Sequence, residues 1–166
     1  MDVSGEKQVA MANSLLAGKS SLSLNSAKLL RLAITQISMD DVSLKPYKIS
    51  IKEFSQVCGI DSSNIYKKAE NICEELMKAV VHIGDGNPKH KWRKFQWVKR
   101  TGYENGYIYI ELHEDLSPYL LMLKGYFTKY YTDNILFLKT VHGLRIYELI
   151  KCALQGGEVC GDKEVD

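Results

Sequence analysis

The residues most able to do chemistry fall in a run of cations interleaved with aromatic rings. Lys89, Lys91, Arg93, Lys94, Lys99 and Arg100 lie between Asp85 and Glu104 with no acid among them, alongside Trp92, Phe95 and Trp97. Long cationic side chains on a projecting hairpin neutralise phosphates and release counterions, the sequence-independent part of DNA affinity. The same lysines would also keep a solvated edge strand from aggregating. The rings read as core rather than as base-stacking platforms. A second group, Ser63, Asn64, Lys67 and Lys68, opens a segment whose opposite face is apolar, and Glu70, Glu74 and Glu75 follow it. The first turns of such a helix can approach a duplex, while its acidic end would be repelled. Recognition helices present their N-terminal residues to base edges. Asn64 can then read adenine, and Lys67 or Lys68 can meet guanine or phosphate. Plain solvent-facing positions remain an equal reading for each.

Catalytic signatures are missing. There is no G-x-S-x-G, no glycine-rich phosphate loop and no H-E-x-x-H. The paired histidines of metal-dependent DNA nicking are not present either, since His82-Ile83-Gly84 lacks the second histidine. Cys58, Cys73, Cys152 and Cys160 form no C-x-x-C pair, and His82, His90, His113 and His142 do not sit at ligand spacing. The expectation is a non-enzyme without metal or cofactor, its thiols buried or incidental. No signal-peptide pattern opens the chain and no apolar run could span a membrane, so a reducing cytoplasm is the expected compartment.

The elements that must position these groups can be read from caps and periodicity. With 166 residues, 45% of them hydrophobic and 25% charged, the chain suits one domain with a single core. The net charge of +2 says little about nucleic acid, so the placement of charge matters more. Residues 1–7 read as a loose start, 8–154 as the domain, and 155–166 as a polar tail or the start of a linker. Val9, Ala12, Leu15 and Leu16 suggest a short helix over Gln8–Leu16. Ser23 can cap a helix that carries Leu29, Leu30, Ala33, Ile34 and Ile37 and ends near Ser38. Pro46 precedes a strand at Tyr47–Ile49.

Ser50 and Glu53 form S-x-x-E, a capping box, flanked by Ile49 and Phe54 as a hydrophobic staple. Gly59 stops that helix as a left-handed cap. Asp61-Ser62-Ser63 starts the next, whose stripe of Ile65, Ala69, Ile72, Cys73, Leu76 and Val80 implies about five turns. Two helices joined tightly at a glycine spell helix-turn-helix. The period then changes to alternation, with turns at Asp85–Pro88 and at Glu104-Asn105-Gly106, the latter a strong hairpin cue. Helix returns from Ser117-Pro118 to Gly125, Tyr126–Tyr131 is extended, a short helical turn starts at Asp133 or Asn134, and Gly143–Leu154 is helical. The fold class is α+β: a winged helix, with a helix-turn-helix, a basic β-hairpin wing and additional C-terminal helices.

Several stretches go beyond periodicity. Leu22-Ser23-Leu24-Asn25 leads into Lys28-Leu29-Leu30, and Ser62 to Lys67 opens the long helix. Leu120 to Tyr130, containing Phe127-Thr128-Lys129-Tyr130, is followed by Asn134-Ile135-Leu136 and Leu144 to Ile150, containing Arg145-Ile146-Tyr147-Glu148-Leu149. In this order, over residues 8–154, the sequence resembles the N-terminal winged-helix domain of plasmid replication initiators that bind repeated origin sequences, the RepB-like Rep superfamily 3. The resemblance implies two winged-helix domains that bind direct repeats of double-stranded DNA, help melt the origin and recruit host replication proteins. It also implies homodimers that repress their own gene, with the N-terminal domain supplying dimer contacts and mostly backbone contacts to DNA. No second winged helix follows Leu154, so the chain reads as a fragment of a longer initiator or a naturally short one. The alternatives are a winged-helix transcriptional regulator, and an interaction module whose wing cations pair with Glu104, Glu111 and Glu114.

Overall fold

The computed structural model describes residues 7–18, 20–124 and 126–155. Its elements begin with β1 (Gln8–Ala12), α1 (Asn13–Ala17), α2 (Leu24–Ile34), β2 (Pro46–Ser50), α3 (Ile51–Cys58) and α4 (Ile65–Lys78). Four strands follow: β3 (Val80–Ile83), β4 (Arg93–Gln96), β5 (Val98–Glu104) and β6 (Tyr107–Leu112). The chain closes with α5 (Ser117–Leu120), β7 (Phe127–Tyr131), α6 (Asp133–Leu136) and α7 (Val141–Leu154). Residues 1–6 of the expected loose start, the Gly125 helix stop, Cys160 and the tail beyond 155 lie outside the described residues.

The first expectation to fail is the opening helix. Val9 and Met11 alternate inward on a strand that pairs antiparallel with β7, Val9 opposite Tyr130. Only from Asn13 does the chain turn helical, for five residues. Ser23 does cap α2, its hydroxyl accepting the Ser26 N–H at 3.2 Å. The helix ends at Ile34 rather than near Ser38, because the following hydrogen bonds tighten to three-residue turns, Gln36 to Ala33 and Ile37 to Ile34. Every residue of α2 from Ser26 to Ile34 is buried, so this helix is the centre about which the domain packs.

The wing sheet has the order β2-β6-β5, all antiparallel, with Ile49 opposite Ile108 and Thr101 opposite Ile110. Its β5–β6 turn places Asn105 and Gly106 at φ 52° and 86°, the left-handed pair that a two-residue hairpin requires. The stripe expected to run to Val80 stops with α4 at Lys78. Val80 is exposed while Val81 is fully buried, because β3 pairs with β4 in a separate two-stranded ribbon. The helix expected from Ser117 to Gly125 is one turn, with Leu116 and not Ser117 at its cap. Beyond it the chain must extend to reach β1, as the Tyr126 carbonyl takes the Asn13 N–H at 3.0 Å.

Polar locks join distant segments. Arg31 of α2 donates through Nε and Nη2 to both oxygens of Glu148 of α7, at 3.0 and 2.8 Å, and the Tyr130 hydroxyl donates to the same carboxylate. All three are buried. Burial opposes the guanidinium charge, but the Glu148 carboxylate and Tyr130 outweigh it and hold Arg31 above its ordinary pKa. Burial, together with Glu148, pushes the Tyr130 hydroxyl well up, so it stays a proton donor. One turn earlier on α7, Arg145 donates to the Leu16, Ala17 and Gly18 carbonyls at 2.8–3.0 Å and closes the end of α1.

Breaking a buried ion pair from one side leaves an uncompensated charge. Glu148→Ala is therefore expected to cost about 3–5 kcal/mol in urea unfolding, and a loss within the range of surface substitutions would show the triad to be slack. Burial pushes the Cys58 thiol up to about 12. With Cys73 and Cys160 both replaced by Ser, the half-buried Cys58 should react with a disulfide reagent at pH 8 well below the rate of a free thiol; free-thiol rates in the native protein would contradict its raised pKa.

Candidate nucleic-acid interface

Local chemistry builds the helix-turn-helix much as the caps demand. The Ser50 hydroxyl accepts the Glu53 N–H at 3.0 Å, while the Glu53 side chain turns inward and holds the Lys7 ammonium. Gly59 takes φ 63° and ψ 38°, its N–H returning to the Ser55 carbonyl. A side chain there would be strained, which fixes glycine at the turn. Asp61 accepts the Ser63 N–H at 3.2 Å and starts one 3-10 turn, Ser62–Asn64, ahead of α4. At the other end of α4, Glu75 accepts hydrogen bonds from the Ser23 hydroxyl at 2.7 Å and from the Ser26 hydroxyl. These bonds lock the helix against the start of α2, so its orientation is set at both ends.

With Ile65, Ala69, Ile72 and Leu76 inward, Ser63, Asn64, Lys67 and Lys68 are exposed. Lys67 lies 3.7 Å from Glu70, a loose pairing between two exposed side chains; Lys68 has no ion pair among the described residues. Tyr66, also exposed, meets Tyr103 of β5 edge to face with ring centres 5.6 Å apart. That contact ties the N-terminal end of α4 to the wing. Further along, the groove between α4 and β5 has a volume of about 720 Å³ and is flanked by Glu70 and Glu74.

The expected cationic wing is divided. Lys99 and Arg100 lie on β5, where Lys99 bridges Glu111 and Glu114 at 3.4 and 3.5 Å and Arg100 pairs with Glu111 at 3.2 Å. Backbone hydrogen bonding at Glu114, reinforced by the Lys99 charge, holds that carboxyl below its ordinary range. Lys91, Arg93 and Lys94 stand instead on or beside β4, with Lys89 in the loop before it. This β3–β4 ribbon lies in the chain between α4 and β5 and pairs apart from the wing sheet. Among the described residues, Lys89, Lys91 and Arg93 carry no ion pair. The ten candidates thus fall into three groups: the start of α4, the β3–β4 ribbon and the neutralised β5.

The register of Arg100 was readable. A two-residue turn at Asn105-Gly106 sets Glu104 opposite Tyr107 and, four positions on, Arg100 opposite Glu111. The Tyr66–Tyr103 contact had no local signal. Trp97 is buried as expected of a core ring, but Trp92 is 50% exposed. Among the described residues no cluster of side chains could hold a metal ion, and no helix is long and apolar enough to cross a membrane.

A helix, a strand, the helix-turn-helix and a hairpin that pairs back on the strand together define a winged-helix domain. The chain belongs to the family described as "Initiator Replication protein, WH1", whose model matches residues 8–151. Among solved structures it is similar to the Pi initiator protein in complex with iteron DNA, with 17% sequence identity and a TM-score of 0.72 over 90% of this chain. That match covers 65% of the Pi chain, so the present chain spans a little under two thirds of it. A second similar structure is the WH1 domain of MSBI1.176, a replication protein isolated from a multiple sclerosis patient, at 17% identity and a TM-score of 0.45, covering 58% of this chain and 77% of that one. No curated protein matches.

Replacing both Glu111 and Glu114 with Gln should release Lys99 and Arg100. If β5 lies near DNA, the slope of log affinity against log salt then steepens by up to about 0.9 for each phosphate newly met. An unchanged slope would place β5 away from the duplex.

Proposed function

We propose that this chain is the DNA-binding domain of a plasmid replication initiator, acting on repeated double-stranded origin sites without enzymatic activity or cofactor. The observation that carries this reading is the outward face of α4. In a chain of the initiator family, the first turns of the recognition helix offer Ser63, Asn64, Lys67 and Lys68 to solvent, with the acids further along. The Pi initiator, which shares the fold, is seen bound to iteron DNA. In this reading Asn64 meets a base edge, Lys67 and Lys68 meet guanine or phosphate, and Lys91, Arg93 and Lys94 track the backbone. Lys99 and Arg100 contribute less, because Glu111 and Glu114 already compensate them. Homodimerisation, docking of host replication proteins and a cytoplasmic location belong to the same proposal.

A second reading has specific support. The neutralised β5 and the acidic edge of the α4–β5 groove suit a module used mainly for dimerisation or protein contact. The two separate on a labelled duplex carrying the repeats beside the gene, compared with a scrambled duplex across salt. Preference for the repeats supports the initiator reading, and no binding to either duplex supports the interaction module. In the first case, Lys67→Ala with Lys68→Ala should weaken binding and flatten the salt slope by about 1 for each phosphate no longer neutralised. Unchanged affinity at every salt concentration would remove α4 from the DNA-facing surface.

A further inference from the structure

The β3–β4 ribbon contains a concavity that contact with a duplex backbone would leave unused. Its volume is about 180 Å³, and it is lined by His82, Gly86, Asn87, Pro88, Trp92 and Lys94. Trp92 is half-exposed, although a large ring normally contributes to stability by burial. His82 braces the indole edge to face, ring centres 5.9 Å apart, and the Lys94 ammonium lies 5.6 Å from its centre. Gly84 backs it so closely that a Cβ there would meet the Trp92 Cβ at 2.9 Å.

The loop leading to the ring is bonded to itself. Asp85 accepts the Asn87 N–H at 2.8 Å, the Asn87 side chain accepts the Lys89 N–H at 3.0 Å, and its carbonyl accepts the His90 N–H at 2.9 Å. The His90 ring sits on the Asp85 carboxylate, so the one acid of the loop is already engaged. Such a loop presents its ring and cations already ordered, which lowers the entropy lost on binding. Lys89, Lys91 and Arg93 adjoin the lining residues along the chain, exposed and without ion pairs among the described residues, with Arg93 on the opposite face of β4 from Lys94.

An exposed indole in a small hollow, an ammonium over it and further exposed cations along the same ribbon match the chemistry of an unpaired base with its flanking phosphates. Bases stack on aromatic rings whatever their identity, while a basic groove follows the backbone. A base inside a duplex is already stacked on both faces and cannot use the ring. We propose that the Trp92 concavity is a stacking site for one unpaired nucleobase, so that the β3–β4 ribbon binds single-stranded DNA. The proposal rests on the reading of this ribbon as a DNA-contacting element, and gives it a substrate distinct from that of α4.

The test titrates the whole chain with a labelled oligo-dT of about ten nucleotides and, separately, with the repeat-bearing duplex. Binding of oligo-dT should quench tryptophan emission in the wild-type protein, and this arm needs no variant. Trp92→Ala should weaken oligo-dT binding by about 5- to 150-fold, the range for loss of one base–aromatic stack. Trp92→Phe should retain most of the affinity while losing the quench, and duplex affinity should be unchanged in both. Failure of the wild-type chain to bind oligo-dT, or equal oligo-dT affinity in Trp92→Ala, overturns the proposal and leaves the duplex reading standing. Equal weakening of single strand and duplex also overturns it, making Trp92 a prop for the cations. Loss of duplex binding with oligo-dT binding intact would instead sink the origin-duplex function and keep this site.

Discussion

The buried pairing of Arg31 with Glu148 is the constraint on which the other elements depend. It brings together residues 117 positions apart, and Tyr130 completes it from a strand whose partner is β1. An ion pair removed from water is useful to a fold chiefly when it specifies one arrangement, since its desolvation offsets much of its attraction. Here the arrangement fixed is that of the central helix. Arg145, on the same α7, holds the end of α1, and Ser23 and Ser26, at the start of α2, hold Glu75 of the recognition helix. The direction in which α4 faces is therefore set by a series of polar contacts that begins at the last helix.

The portions of the fold legible in the sequence are those decided within a few residues. The Ser50 cap, the Gly59 stop, the Asn105-Gly106 turn and the α4 stripe as far as Leu76 each depend on short-range geometry, and each stands where its residues place it. Residues 8–12 form β1 although Val9, Ala12, Leu15 and Leu16 satisfy a helical period, because the decisive partner, β7, lies almost at the other end of the chain. α5 stops after one turn for the same reason, since pairing with β1 requires an extended approach. At the candidate interface, the exposure of Ser63, Asn64, Lys67 and Lys68 followed from the stripe opposite them. The division of the cations between two sheets did not, because nothing local says that β3 and β4 leave the wing sheet to pair alone.

Charge in this domain is better described by its partners than by its sum. Two of the six cations expected on the wing, Lys99 and Arg100, face carboxylates on or just beyond β6. Their contribution to any phosphate contact is reduced by the cost of leaving those partners. The ribbon is different: its single acid is occupied by a histidine, and its lysines and arginine lie on a self-bonded loop and the start of β4. A nearly neutral chain can in this way keep a locally cationic surface.

The ribbon also begins and ends at one point. The Trp97 N–H meets the Ala79 carbonyl at 3.2 Å, so the chain leaves the recognition helix and returns to the wing almost where it departed. Val81 anchors its base in the core, and beyond the rung of His82 and Lys94 the Ile83 side chain still packs against the core beside Gly18. A segment closed on itself in this manner is a natural place for evolutionary drift. Its outer loop can lengthen, shorten or exchange residues without disturbing how the helix-turn-helix is built, making it an adjustable accessory on an otherwise fixed frame.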